Sequence, residues 1–462
     1  MRGLPLLSTL VALALALAAE PAGGAAAPTR RVASDPDFRR GVFFNGYHRD
    51  AYNSEAADRA LEALATTGAN AAGITANFYQ DAGRSSAVYR DGELTPSDEA
   101  LARAIRRAHA LGLRVFLVPH LLVKDGTWHA EVDPEDPDAW FATYTDVLLH
   151  YAHLAEEHGV EELSIGVELY GVVVRYPQRW REVIAQVRQV YSGQLTYGAN
   201  WWAPERPEYW QVEFWDDLDY VGIQAYFSLT TTPRPTREEL LAAWQPWVQD
   251  VARLVRQVQK PVVFTEVGYR SIEAAPGWPW DANRDGAVSP ETQAAAYEAL
   301  LQAWGDRPWF RGVFWWYWQP DPRAGGPHDD DFTPQGKPAQ EVLRTWYGGP
   351  QPALGEDGAP PAVEASAAPP TPVPQPATCG QRVLRERGPR ALLTAEASAR
   401  CGLRWTWQNS GAAALDVLLV DREGAVLWRR GVRLPPLAGA AEGRTPVWPM
   451  RVKVPAPPAS VP

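Results

Sequence analysis

Two glutamates end short apolar runs in this chain. Glu168 closes Ser164-Ile165-Gly166-Val167-Glu168, and Glu266 closes Val262-Val263-Phe264-Thr265-Glu266, just before the turn at Gly268. Carboxyls delivered at the ends of buried strands are the minimum equipment for glycoside hydrolysis, in which one protonates the leaving oxygen and the other attacks the sugar or activates water. Residue types that recognise sugars stand around them. His120, Asn200, Trp201, Tyr226 and Trp316 also fall at the ends of apolar runs, where polar groups could meet hydroxyls and aromatic faces could meet pyranose rings. Trp128, in Lys124-Asp125-Gly126-Thr127-Trp128, is a candidate sugar platform on a following loop. Tyr226, Tyr269 and Arg270 are candidates to keep Glu266 ionised through hydrogen bonds or charge. Blander readings exist for each: His120 as a hydrogen-bonded histidine beneath a cleft, any single Trp as core filling, and the two glutamates as ion-paired scaffold carboxylates.

For these groups to meet, strands far apart in sequence must end on one side of the molecule. Residues 40–347 alternate apolar runs with helix-period segments, the pattern of a parallel sheet covered by helices. The strand candidates are residues 41–47, 69–75, 113–120, 162–169, 194–200, 219–227, 261–268 and 311–318. Runs such as Val115-Phe116-Leu117-Val118 do not alternate, as expected of strands covered on both faces. Between them, Asp136 can cap a helix that Pro137 opens; Trp140, Tyr144, Val147, Leu148, Tyr151 and Leu154 give it one apolar face, and Gly159 stops it. Leu101, Ile105, Ala108 and Leu111 make a similar stripe ended by Gly112. The fold class is therefore α/β, a (β/α)8 TIM barrel. Glu168 and Glu266 are 98 positions apart, which fits three repeats of about 33 residues in a barrel of this size, and chemistry in such barrels sits at the carboxyl ends of the strands. A doubly wound open sheet is the rival, but no Gly-x-Gly-x-x-Gly follows the first strand.

The rest of the chain narrows the class of partner. A formal net charge of −11 over 462 residues argues against nucleic acid or an anionic membrane, both of which require basic clusters. A neutral polysaccharide or oligosaccharide suits better a chain with 21 Trp and 17 Tyr against 2 Met. Residues 1–19 have the charged start, short apolar core and small-residue end of a secretory signal peptide, with cleavage expected near Ala18 or Ala19. The mature protein is expected to be secreted or periplasmic, free of the membrane, and a monomer. The expected domains are a flexible segment at 20–37, a catalytic barrel at 38–347, a Pro/Ala-rich linker at 348–378 and a small β-rich, sandwich-like domain at 379–462. Cys379 and Cys401, the sole cysteines, are expected to form a disulfide there. Trp405, Trp407 and Trp428 could bind polysaccharide in that domain, although they alternate like core residues. Asp281-x-Asn283-x-Asp285-Gly286 opens like a calcium loop, but Thr292 stands where the bidentate glutamate belongs, while Ser289 and Pro290 look like the start of a helix. No metal or cofactor is expected.

Residues 40–347 resemble glycoside hydrolase family 113 of clan A, whose members are mainly retaining endo-β-mannanases. The resemblance is carried by Ile165-Gly166-Val167-Glu168-Leu169, Leu195-Thr196-Tyr197-Gly198-Ala199-Asn200-Trp201, Phe214-Trp215-Asp216-Asp217-Leu218-Asp219-Tyr220, Phe264-Thr265-Glu266-Val267-Gly268-Tyr269-Arg270-Ser271 and Gly312-Val313-Phe314-Trp315-Trp316. It implies Glu168 as acid/base, Glu266 as nucleophile, and Tyr226 as the tyrosine that clan A enzymes aim at the nucleophile. The chain departs from the family pattern where His120-Leu121-Leu122 replaces His-Val-Asp and Trp128-His129-Ala130 replaces Trp-Arg-Gly. The loop Trp202-Ala203-Pro204-Glu205-Arg206-Pro207 is also longer and more aromatic than usual. These changes touch the sugar-binding shell, where a few altered hydroxyl contacts can redirect specificity. Alternatives are therefore a hydrolase of another β-glycan, glucan or xylan, and a non-catalytic polysaccharide-binding barrel, the last of which should lack a carboxylate.

Overall fold

The computed structural model describes residues 30–349 and the backbone of five further strands between residues 382 and 434. Eight strands close into a barrel: β1 (Arg39–Phe44), β2 (Ala71–Gln80), β3 (Arg114–Val123), β4 (Glu162–Val167), β5 (Gln194–Asn200), β6 (Val221–Gln224), β7 (Val262–Val267) and β8 (Phe310–Trp318). They follow chain order, all neighbours are parallel, and β8 returns to β1. The helices are α1 (Arg30–Ser34), α2 (Glu55–Ala65), α3 (Asp98–Ala110), α4 (Pro137–Glu157), α5 (Tyr170–Arg175), α6 (Pro177–Val190), α7 (Arg237–Val258), α8 (Pro290–Trp304) and α9 (Pro338–Tyr347). This is the (β/α)8 architecture that the alternating pattern predicts.

Local chemistry sets the helix ends. Asp136 caps α4 by accepting from the Ala139 N–H at 3.0 Å, with Pro137 in the first turn, and Gly159 follows the helix at φ +66°. Thr236 and Glu239 form a reciprocal capping box at the start of α7, at 3.2 and 2.7 Å. Pro290 opens α8 directly after Ser289, as the sequence suggests.

The barrel separates two apolar compartments. Phe43, Phe116, Val118, Val167, Val263 and Phe314 fill its interior, with Phe116 and Phe314 centred 4.9 Å apart. The alternate strand residues face the helices, where Trp140, Trp180, Trp244, Trp304 and Trp315 are fully buried. Two strand glycines make room for the inner rings: a Cβ on Gly41 would lie 2.3 Å from Phe314, and one on Gly73 would lie 2.7 Å from Phe43. At the amino-terminal end of the strands a buried ionic cluster closes the floor. Glu162 accepts from Arg39 at 3.1 Å, Arg114 at 3.0 Å and the Tyr220 hydroxyl at 2.7 Å, so its charge is paired on every side.

Several boundaries differ from the sequence expectation. β2 and β3 run past residues 75 and 120 because their pairing continues from Ala76↔Pro119 to Gln80↔Val123. β6 is shorter than residues 219–227, since its register to β7 shifts between Ile223 and Gln224. Residues 30–37, expected to be flexible, are instead fastened: Val32 is buried, and the carbonyls of Val32, Ala33 and Asp35 accept from Arg40.

Beyond the barrel, β9 (Arg382–Gly388), β10 (Ala391–Ser398) and β11 (Gly402–Asn409) form an antiparallel sheet, and β12 (Ala413–Val420) pairs with β13 (Val426–Leu434). The expected leader at 1–19, the linker from residue 350, Cys379 and Cys401 lie outside the described residues. Among the described residues, no helix is long and apolar enough to cross a membrane.

Candidate active site

Glu168 directly follows β4 and Glu266 belongs to β7, so both carboxyls stand at the carboxyl-terminal mouth of the barrel. Glu168 adopts φ +49°, a left-handed conformation that a side chain with a Cβ rarely takes and that costs about 1–3 kcal/mol. Its N–H donates to the Gly198 carbonyl at 2.8 Å, and the next N–H, of Leu169, donates to the Tyr197 hydroxyl at 2.6 Å. These bonds tie the turn to β5. The Glu168 side chain is 14% exposed, with His129 Nε2 at 3.3 Å from its Oε2. Burial lowers the His129 imidazole to about 4, so it faces Glu168 as a neutral group near pH 7. Burial also raises Glu168 to about 7, opposed by the Trp128 side chain.

Glu266 has a richer set of donors. The Tyr226 hydroxyl donates to its Oε1 at 2.5 Å and the Gln224 carboxamide to its Oε2 at 2.9 Å. Gln224 is itself held by Thr265, whose hydroxyl donates to its Oε1 at 2.9 Å. Burial pushes Glu266 upward; the Tyr226 bond pulls it down, the charge of Glu168 pushes up again, and Gln224 pulls down. The two glutamates thus act on each other, and their protons belong to the pair. Burial raises both carboxyls, and the donors favour the charge on Glu266: each of its oxygens accepts from a side chain, whereas Glu168 meets the Trp128 side chain and a neutral imidazole. The arrangement can present one carboxylate and one carboxylic acid to the same mouth.

A family model described as Glycoside Hydrolase Family 113 matches residues 43–337, most of the described barrel. The chain belongs to that family. It is similar to the solved GH113 β-mannanase AaManA from Alicyclobacillus acidocaldarius in complex with ManMIm, at 30% identity and a TM-score of 0.62, covering 68% of this chain and 99% of that one. It is also similar to a GH113 β-1,4-mannanase solved as a complex, at 27% identity and a TM-score of 0.61, covering 67% and 99%. No curated protein matches the chain. As a family 113 member the chain is a glycoside hydrolase.

Within this family 113 enzyme, the residues singled out from sequence separate into two groups. Tyr226 touches Glu266, and Trp128, 37% exposed, packs edge-on against His129 with centroids 6.2 Å apart. Trp316 lies over Phe43 at the mouth of the barrel interior, 5.5 Å between centroids. Trp201 rests against Phe227 and Trp247, with the half-open ring of Trp280 5.0 Å from it. His120 reaches the site through His129, their rings 5.1 Å apart. Asn200 is buried and its carboxamide oxygen accepts from the Trp202 N–H at 2.8 Å, which shapes the loop after β5.

Two expected supports of Glu266 are corrected. Arg270 is committed elsewhere: it donates to the Asp330 carboxylate at 2.7 Å and to the carbonyls of Asp330 and Arg284 at 3.1 and 2.5 Å. Tyr269 is fully buried in the outer core against Tyr297 and has no hydrogen-bond partner for its hydroxyl among the described residues. The chain turns at Gly268, where a Cβ would lie 2.7 Å from the Trp316 carbonyl, so strand alternation no longer applies beyond it. This end of the motif braces loops instead: the Ser271 hydroxyl donates to the Asp329 carbonyl at 2.6 Å and accepts from buried Lys337 at 2.8 Å. Sequence reasoning missed Gln224, which ends β6 two residues before Tyr226 and, like it, donates to Glu266. It also missed His129 as a partner of Glu168, and no periodic signal marks that residue, which belongs to a single turn of 3-10 helix.

Proposed function

We propose that this glycoside hydrolase is an exported, retaining endo-β-1,4-mannanase, with Glu168 as acid/base and Glu266 as nucleophile. The observation that carries the reading is the placement of donors: Tyr226 and Gln224 supply one to each oxygen of Glu266, whereas Glu168 meets the Trp128 side chain and a neutral His129. Burial raises both carboxyls, and the two donors on Glu266 favour its ionised form for attack while the proton stays with Glu168 for donation.

In the first step a Glu266 oxygen forms an ester bond to the anomeric carbon as the glycosidic C–O bond breaks, and Glu168 passes its proton to the departing oxygen. In the second, the Glu168 carboxylate takes a proton from water while that water attacks the anomeric carbon. The ester bond breaks, the Glu266 carboxylate is restored and Glu168 is again protonated. Mannan as substrate is supported by the likeness to β-mannanases. Export is supported by the signal-like residues at the amino terminus. A second reading, hydrolysis of another β-glycan, is favoured by one feature: His129 contacts Glu168 from a position where the family pattern has arginine.

The test is incubation of the purified mature protein with mannan, glucomannan, xylan and cellulose beside Glu266→Gln. The expected result is release of oligosaccharides from mannan by the wild type alone; equal activity in the variant would refute the assignment. NMR of the first product should show the substrate's own anomeric configuration, and an inverted product would refute retention.

A further inference from the structure

A third carboxyl stands beside this pair and takes no part in the steps above. Glu208 lies in the short helical turn Glu208–Trp210 after β5 and is fully buried. Its Oε1 accepts from the Tyr197 hydroxyl at 2.6 Å, and its Oε2 accepts from the Asn200 N–H at 2.7 Å. Tyr197, also fully buried, in turn accepts the Leu169 N–H at 2.6 Å. The donors therefore run in one direction, from the backbone beside Glu168 through a phenol to a carboxyl. The phenol offers a lone pair to Leu169 with its own proton turned the other way, and Glu208 gives that buried proton its acceptor.

This choice of residue needs an explanation. Burial pushes the Glu208 carboxyl up to about 8; the bonds from Tyr197 and Asn200 pull it down, and the charge of Glu168 adds a further push. For packing alone an apolar side chain of similar volume would be less costly. What a carboxyl supplies is two acceptor atoms on one rigid plane. A glutamine has one, and would turn its amide donors toward either the Asn200 N–H or the Tyr197 hydroxyl. Glu208 thereby fixes the ends of two strands at once, β5 through Asn200 and β4 through Tyr197 and Leu169. Between those anchors is the left-handed Glu168, a conformation that persists only where surrounding bonds over-determine it.

We propose that Glu208 is a positioning residue for proton donation: through Tyr197 it holds the left-handed turn that aims the Glu168 carboxyl at the leaving oxygen. The inference rests on Glu168 being the acid/base. It predicts a loss that scales with the need for a proton, because a leaving group that departs unprotonated does not depend on where Glu168 points.

The experiment compares wild type, Glu208→Gln and Tyr197→Phe on two substrates, an unsubstituted β-1,4-manno-oligosaccharide and an aryl β-manno-oligosaccharide with a nitrated phenol as leaving group. For both variants kcat/KM on the unsubstituted substrate should fall about 10- to 100-fold, the range associated with misplacing a reacting group by about an ångström. On the aryl substrate kcat/KM should stay within about threefold of wild type, a difference of about 0.7 kcal/mol. Equal losses on both substrates, or no loss on either, would overturn the proposal. Tyr197→Phe interrupts the same chain while leaving the Glu208 carboxyl in place on the Asn200 N–H, so it decides the matter if Glu208→Gln fails to fold. Glu168→Ala is the control for the underlying reading: it must show the same leaving-group contrast, more strongly. If it does not, the acid/base assignment fails, whereas a contrast in Glu168→Ala without one in Glu208→Gln and Tyr197→Phe rejects the positioning role alone.

Discussion

Tyr226→Phe removes one oxygen atom and with it the shortest contact of the proposed nucleophile, the 2.5 Å bond to Glu266 Oε1. A hydrogen bond to a charged partner contributes about 1.5–3 kcal/mol. If the whole of it favours the ionised carboxylate, its loss raises the Glu266 pKa by about one to two units, at roughly 1.4 kcal/mol per unit. The sign follows from the role. Attack requires ionised Glu266, so activity is lost as pH falls through its pKa, and raising that value moves the acidic limb of kcat/KM toward neutral pH. The basic limb reports the proton on Glu168, raised by burial to about 7, and should move little. The assay is kcat/KM against pH on a soluble manno-oligosaccharide, for wild type and variant. Gln224 still donates to the other oxygen, which caps the damage and makes a folded, measurable variant the expected outcome. A shifted basic limb with an unmoved acidic limb would mean that Tyr226 serves the acid, and the roles of the two glutamates would have to be exchanged.

Three further outcomes follow from the same geometry. His129→Arg would set a cation beside Glu168 in place of a neutral imidazole, and an opposite charge at that range lowers a carboxyl by about one to three units; the basic limb of kcat/KM should move to lower pH. Gly41→Ala directs a methyl group to within 2.3 Å of the Phe314 ring, and chemical denaturation should show a loss of about 1–3 kcal/mol, as for other overpacked cores. Glu168→Gln should stabilise the protein above pH 7. Because Glu168 rises from 4.5 to about 7 on folding, the stability it contributes is complete below the unfolded value and lost as pH climbs through the folded one, a change of about 3–3.5 kcal/mol at roughly 1.4 kcal/mol per unit. Thermal melts at pH 5 and pH 8 should therefore differ less in the variant than in wild type.

The barrel was legible because its strands are covered on both faces, and runs such as Val115-Phe116-Leu117-Val118 have no other use in a chain of alternating helices. Both glutamates were legible because they interrupt such runs at their carboxyl ends. The extension of β2 and β3 was hidden by Asn77 and His120, polar residues that end an apolar run without ending the pairing. Arg270 and Tyr269 misled for the opposite reason. Adjacency to Glu266 along the chain suggested adjacency in space, but the turn at Gly268 sends them into a loop brace and the outer core.

What the sequence concealed most completely is the apparatus behind Glu168, the proposed acid/base. His129 and Glu208 approach Glu168 from single helical turns in two loops, after β3 and β5, and neither belongs to a periodic segment. Strand ends can deliver a carboxyl to the mouth of a barrel, but they do not set its backbone at φ +49° or choose which of two neighbouring carboxyls keeps a proton. Those settings come from donors and acceptors whose partners are distant in sequence, 28 residues for Leu169 with Tyr197 and 42 for Gln224 with Glu266. A residue type reveals that it can accept a hydrogen bond; only the fold says from whom. For this enzyme the distinction falls between the proposed reacting pair, which strand ends in the sequence single out, and the buried bonds that make its members unequal, which they do not.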